Sequence, residues 1–172
     1  MQNPPNSKKS DPIASHPKKW IRIGFILITL WNGAIVTAPL LSQAKAHWLQ
    51  ALGSGIYFFM DPVCHQLPER SIFLQHLPLP VCARCTAIYL GGFFTFLAAL
   101  VSRSLKPWSK SALGSLALLA VIGLLAEKLH VLPDLLEIRF MNGLLLGILI
   151  FRVVVEALLV PVTNHGVRKY HG

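Results

Sequence analysis

Charge is what this chain has least of. Only 13% of its 172 residues are Asp, Glu, Lys or Arg, about half of the roughly 25% usual in a soluble domain. With 53% hydrophobic residues there is too little polar surface to coat a water-soluble globule, so the composition points to a membrane. Acids are scarcest, seven against sixteen bases. The resulting net charge of +9 is not gathered into a nucleic-acid-binding stripe: Lys8, Lys9, Lys18, Lys19 and Arg22 precede one apolar run, and Arg103, Lys106 and Lys110 separate two others. That distribution reads as membrane topology and argues against nucleic acid as a partner. Gly-rich phosphate loops, serine nucleophile elbows and RNA-binding signatures are lacking, as are solenoid repeats. Cysteine is rare too. The three present leave one without a disulfide partner and do not supply a second C-x-x-C half-site.

What is there, in quantity, is apolar sequence. About 20 such residues cross roughly 30 Å of hydrocarbon. Four runs qualify: Ile21–Leu41, Val81–Val101, Ala112–Leu129 and Phe140–Val160, the last ended by Pro161. Trp20, Trp31 and Trp108 suit interfacial anchoring. A fifth stretch, Trp48–Met60, is too short to cross and contains Gly53 and Gly55, which predicts an interfacial or re-entrant segment. The first run has a rival reading as a cleavable signal peptide ending near Ala44-Lys45-Ala46, although its polar leader is long and Lys45 is awkward at a cleavage site.

These runs predict an all-α integral membrane bundle of four transmembrane helices, with a short interfacial or re-entrant helix before a cysteine-containing extracytoplasmic loop. The organisation expected is a disordered basic leader over 1–20, a helical membrane domain over 21–162 and a short tail over 163–172. With the N-terminus inside, the inner segments hold ten Lys and Arg and the outer ones five, while every acid of the loops except Asp11 falls outside. The positive-inside rule therefore puts both termini in the cytoplasm. It also brings the cysteine loop and the Glu127–Arg139 connection to one extracytoplasmic face.

Within the spans, Gly143 and Gly147 put two glycines on one helix face, which serves either intrachain packing or pairing with a second copy as a homo-oligomer. Arg152 and Glu156 are four apart and share a face. They are expected to pair near the inner leaflet, with Arg152 snorkelling toward phosphate.

The chemistry-bearing residues are Cys64-His65 and Cys82-Ala83-Arg84-Cys85. Pro78 and Pro80 predict a helix start that puts Cys82 in the first turn of the second span, with Cys85 over the same face. The helix dipole and Arg84 both favour thiolate over thiol. Arg84 itself sits badly beside that dipole. It requires an acidic partner, for which Asp61, Glu69 and Asp134 are the candidates, or a lipid headgroup or anionic ligand.

These residues also carry a resemblance. Cys64-His65-Gln66, Pro68-Glu69-Arg70-Ser71, Leu79 through Thr86 and Tyr89-Leu90-Gly91 resemble a prokaryotic membrane-protein family known as domain of unknown function 2085. The likeness spans roughly residues 51–151 and is most specific in its Cys-His-Gln and Cys-x-Arg-Cys blocks. Asp134, Arg139, Gly143 and Gly147 are similar to its later pattern, while Ala87 and Asn142 stand where a glycine and a hydroxyl residue are usual. The resemblance implies residence in the prokaryotic inner (plasma) membrane and carries no established activity.

Three functions fit. In the first, Cys64, Cys82, Cys85 and either His65 or His76 bind zinc or iron, since three sulfurs and one nitrogen suit a tetrahedral ion. In the second, Cys82 and Cys85 undertake thiol–disulfide exchange with Cys64 as a relay. In the third, one structural disulfide stabilises a non-catalytic membrane assembly factor. Secondary candidates on the same face are Glu127 and His130, spaced as Glu-x-x-His, and Asp134, Glu137 and Arg139 around the start of the fourth span. Among these, Asp134 and Glu127 are the general-base candidates if the face is catalytic.

Overall fold

A helix inside hydrocarbon satisfies its own backbone, and the polar side chains that it carries must do the same. The first helix, α1 (Pro17–Ser42), follows this rule at its hydroxyl residues and at Asn32. Thr29, Thr37 and Ser42 each donate a hydroxyl hydrogen bond back to the carbonyl four residues earlier. Asn32 donates both to Ile28 and across to the Tyr89 carbonyl of a neighbouring helix. The computed structural model describes residues 17–64, 67–102, 108–129 and 135–167.

The described residues form five α-helices: α1, α2 (His47–Met60), α3 (Ala83–Val101), α4 (Lys110–Lys128) and α5 (Leu136–Val167). All except α2 are long and apolar enough to cross a membrane. The all-α membrane bundle is therefore as expected, and so is a short helix ahead of the cysteine segment. That helix folds back along α1. Gly53 lies against Ala38 and Ser42, and Phe59 packs edge-on against Trp31 at 6.1 Å. From Ser42 to Trp31 is about 16 Å of helix rise, so α2 retraces roughly half of a bilayer and has the geometry of a re-entrant segment. Its Trp48, Leu52, Phe58 and Phe59 face outward, as lipid-facing side chains would. Trp31 is half-buried between Phe59 and Tyr89, in the middle of α1, so it packs the core instead of anchoring an interface.

The segment expected to be a loop contains an antiparallel hairpin, β1 (Ser71–Leu74) with β2 (Leu77–Cys82). Gln75 and His76 form its two-residue turn, both at positive φ (48° and 70°), as a primed hairpin turn requires. Pro78 and Pro80, read in the sequence as a helix start, lie in β2 instead. Proline is tolerated there because a two-stranded sheet consists only of edges. Two anchors fix the hairpin: Tyr57 Oη donates to the Pro78 carbonyl at 2.5 Å, and Gln43 Nε2 donates to Gln75 O at 3.0 Å.

α3 packs between α1 and α5. Against α1 the contact is aromatic, with Phe93 at 5.4 Å from Phe25 and Tyr89 at 5.5 Å from Trp31. Against α5 it is backbone on backbone. A Cβ at Gly91 would lie 2.8 Å from Leu144 O, and one at Gly147 would overlap the Ile88 backbone. The Gly143–Gly147 face is thus occupied by α3 of the same chain, with Ala87 opposite Gly143, and is not left for a second copy. α4 rests mainly on α5. Its N-cap, Ser109, accepts from the Ala112 N–H. α5 runs through Pro161 to Val167, beyond the stop expected at that proline; transmembrane helices tolerate such interruptions. Arg152 and Glu156 pair at 3.0 Å as expected, but Arg152 is 7% exposed and lies over the Trp108 ring instead of reaching outward.

Candidate metal centre

Three elements each deliver one sulfur. Beyond α2 the chain turns back through the Val63 and Cys64 N–H groups, both bonded to Met60 O, which buries Cys64 beside Ile35, Met60, Leu79 and Val81. β2 ends on Cys82, which is also the N-cap of α3. Cys82 therefore stands one residue before the helix and not in its first turn, because the strand continues up to it. Cys85 follows within that first turn. The three sulfurs lie within 4.8 Å of one another.

Hydrogen bonds knit the triad together. The Cys82 N–H donates to Cys64 Sγ at 3.2 Å, which ties strand end to turn. The Cys85 thiol donates to the Cys82 sulfur and is the largest influence holding it well below the ordinary thiol range, at about 5. Burial opposes this, while the Arg84 and Cys85 backbone N–H groups at the helix start and the Cys64 thiol reinforce it. The lowering favours the thiolate of Cys82, the form that binds metals and attacks disulfides.

Around a tetrahedral ion with bonds of about 2.3 Å, sulfurs stand about 3.8 Å apart. A triad already inside 4.8 Å needs only a small contraction to reach that spacing. Cysteine supplies the soft donors that zinc and iron favour, so the residues fit such an ion. Among the described residues no His, Asp or Glu joins the three sulfurs. His76 occupies the hairpin turn, at the opposite end of β2 from Cys82, about 20 Å away along an extended strand. That distance removes it from the expected ligands. His65 lies outside the described residues.

Arg84 finds its acid, though not one of those expected. Its guanidinium pairs with Glu127 of α4 at 2.5 Å, and Arg139 of α5 reaches the same carboxylate oxygen at 3.3 Å. The Glu127 side chain is 5% exposed. One buried carboxylate thus bridges the starts of α3 and α5 at the C-terminal end of α4. Glu127 was read as half of a Glu-x-x-His pair, but two cations engage it, and His130 and Asp134 lie outside the described residues. The topology alone puts Glu127 on the cysteine face, and that was the signal available for this pairing. Glu137 occupies the first turn of α5, where an acid complements the helix dipole.

The sulfurs and cations share a cavity of about 400 Å³, lined by Val63, Cys64, Leu67, Arg70, Cys82, Arg84, Cys85 and Arg139.

The model of a family described as "Predicted membrane protein (DUF2085)" matches residues 64–153, so the match begins at the first of the three cysteines. An uncharacterized protein of Methanothermobacter thermautotrophicus is 39% identical over 90 residues, which is 50% of this chain and 78% of that protein. An uncharacterized protein of Methanocaldococcus jannaschii is 32% identical over 77 residues, 43% of this chain and 49% of that protein, so the match spans about half its length. No solved structure matches the chain.

Proposed function

Starting from the fact that the chain belongs to the DUF2085 family of membrane proteins, we propose that it holds one zinc or iron ion on Cys64, Cys82 and Cys85. The observation that carries this reading is the mutual approach of all three sulfurs within 4.8 Å, contributed by a turn, a strand end and a helix. A disulfide would use only two of them. His65 is the proposed fourth ligand, being adjacent to Cys64 in sequence; if it does not reach, the fourth position is open to water or a substrate. Ligation would fasten the hairpin to α3 and offset part of the entropy of ordering it. The excess of Lys and Arg in the opposite segments supports a centre at the extracytoplasmic face of the prokaryotic inner membrane, with both termini cytoplasmic. The proposed organisation is a leader over 1–20, the membrane domain over 21–162 and a tail over 163–172.

Elemental analysis of detergent-purified protein, coupled to a count of free thiols, tests this. Equimolar zinc or iron is expected, lost together in Cys64→Ser and in Cys82→Ser/Cys85→Ser. Folded protein that carries no metal when purified and binds none on addition overturns it.

A second reading draws on the hydrogen bond between Cys85 and Cys82 and the thiolate it stabilises. That pair suits thiol–disulfide exchange, in which two thiols give up two protons and two electrons to a disulfide or quinone acceptor. Thiol trapping in intact cells separates this from the metal: Cys82 and Cys85 fully reduced exclude exchange, and a Cys82–Cys85 disulfide in metal-free protein selects exchange or a structural disulfide over the ion.

A further inference from the structure

We infer that the three-sulfur centre is a peroxide-responsive zinc site, in which oxidation joins Cys82 to Cys85, expels the ion and unfastens Cys64 from α3. This inference deepens the metal reading and rests on it. Two observations carry it: the sulfurs are unequally accessible, and they belong to two sides of one joint. Cys82 and Cys85 are half-buried, whereas Cys64 is buried among Ile35, Met60, Leu79 and Val81. The Cys64 sulfur is also engaged by the Cys82 N–H at 3.2 Å. A small oxidant therefore meets Cys82 and Cys85 before Cys64. These two stand three positions apart across a helix start, with Cys82 still in extended backbone as the N-cap. That spacing falls inside the roughly 4.4–6.8 Å Cα separation that a disulfide bridges, and their sulfurs already lie within 4.8 Å.

The step balances with a hydroperoxide as oxidant. The Cys82 thiolate attacks one peroxide oxygen, the O–O bond breaks, and the departing hydroxide takes a solvent proton to leave as water. Cys82 is then a sulfenic acid, which condenses with a neighbouring thiol. The Cys85 thiolate attacks its sulfur, so that an S–S bond forms, the S–O bond breaks and a second protonated hydroxide leaves. Two thiolates have lost two electrons, and the peroxide has gained them. A disulfide sulfur is no longer the thiolate that metals bind, so Cys64 alone remains of the three ligands. The consequence for the fold follows from which side each sulfur is on. Cys64 belongs to the turn after α2, while Cys82 and Cys85 belong to the continuous end of β2 and start of α3. Zinc on all three ties one side to the other. The disulfide lies wholly on one side and leaves only apolar packing and the Cys82 N–H bond across the joint.

Titration of the zinc-loaded, detergent-purified full chain with hydrogen peroxide tests the inference. Zinc content is measured before the oxidant is added, released zinc by a colorimetric chelator, and the bridged cysteines by peptide mass spectrometry. One zinc released for each Cys82–Cys85 disulfide is expected, with a reductant and added zinc restoring the starting state. Hydrogen exchange should rise on oxidation over residues 60–64 and 79–82, and stay unchanged over 143–151, where α5 packs on α3 away from the sulfurs. Cys64→Ser should still form the Cys82–Cys85 disulfide with peroxide, since it keeps that pair. A chain that takes up no zinc before any oxidant is present overturns the metal reading and this inference together. A zinc-loaded chain that keeps its zinc in peroxide overturns this inference alone. So does a disulfide that includes Cys64, passage of Cys82 to sulfinic acid without a disulfide, or zinc release with no rise in exchange over 60–64.

Discussion

Glu127→Gln is the sharpest test of how this face is held together. The substitution keeps the side-chain shape and removes the charge that engages two guanidinium groups. The carboxylate is 5% exposed, and its partners Arg84 and Arg139 are 33% and 13% exposed, at 2.5 and 3.3 Å. Removing one partner of a buried pair costs about 3–5 kcal/mol, because the remaining charge stays desolvated. Arg84 opens onto the cavity and regains some hydration, so the expected loss is near the lower end, about 3 kcal/mol. For a chain of this size each kcal/mol moves the thermal midpoint by about 2–4 °C, which gives a fall of roughly 6–12 °C. Thermal unfolding in detergent, followed by circular dichroism, reads it. Glu127→Gln/Arg139→Gln should recover part of the loss, since neutralising both sides removes the stranded charge. A loss below about 1 kcal/mol, the level of a solvated surface pair, would refute the reasoning. So would strict additivity in the double variant.

Cys82 in metal-stripped protein should react with iodoacetamide at a rate that levels off above about pH 6, and Cys85→Ala should move that plateau upward by removing the donor. Peptide mass spectrometry reports the rate. Because the folded value of about 5 lies below the 9.0 of a free thiol, the thiolate's contribution to stability is full above about pH 9 and lost as the pH falls through about 5. Gly147→Ala should push α5 off the Ile88 backbone and cost about 1–3 kcal/mol in thermal unfolding, whereas Gly55→Ala, which meets open space, should be near neutral. Protein expressed from this sequence should retain peptides from Trp20–Leu41, because α1 supplies Ile35 to the sulfur cluster and Phe25 to α3. A mass lower by about 5 kDa would show cleavage of that span instead.

Hydropathy made the crossing helices legible, since a bilayer imposes length and composition directly. Charge counting put the cysteine segment and the Glu127–Arg139 connection on one common face, and the Arg84–Glu127–Arg139 cluster is where that convergence takes physical form. The hairpin was not legible. Leu77-Pro78-Leu79-Pro80-Val81 offers prolines that suit a helix start as well as an edge strand, and only its pairing with Ser71–Leu74 decides between them. Shifting the strand end to Cys82 in turn moved that cysteine from first turn to N-cap. Glu127 was hidden for a different reason. Its partner lies 43 positions earlier in the chain, and nearer acids offered local solutions that the fold did not take.

α1 does not stop at the level of the sulfurs. Ile35 is the residue beside Cys64, and the helix climbs seven positions further to Ser42, about 10 Å, with the hairpin turn fastened at its summit by Gln43. On that flank the thiols sit at the bottom of a parapet. A folded oxidoreductase presenting its own active-site cysteine could not close to bonding distance from that side, whereas a hydrated ion or a small anion can descend. From that flank, size would limit what reaches the three sulfurs.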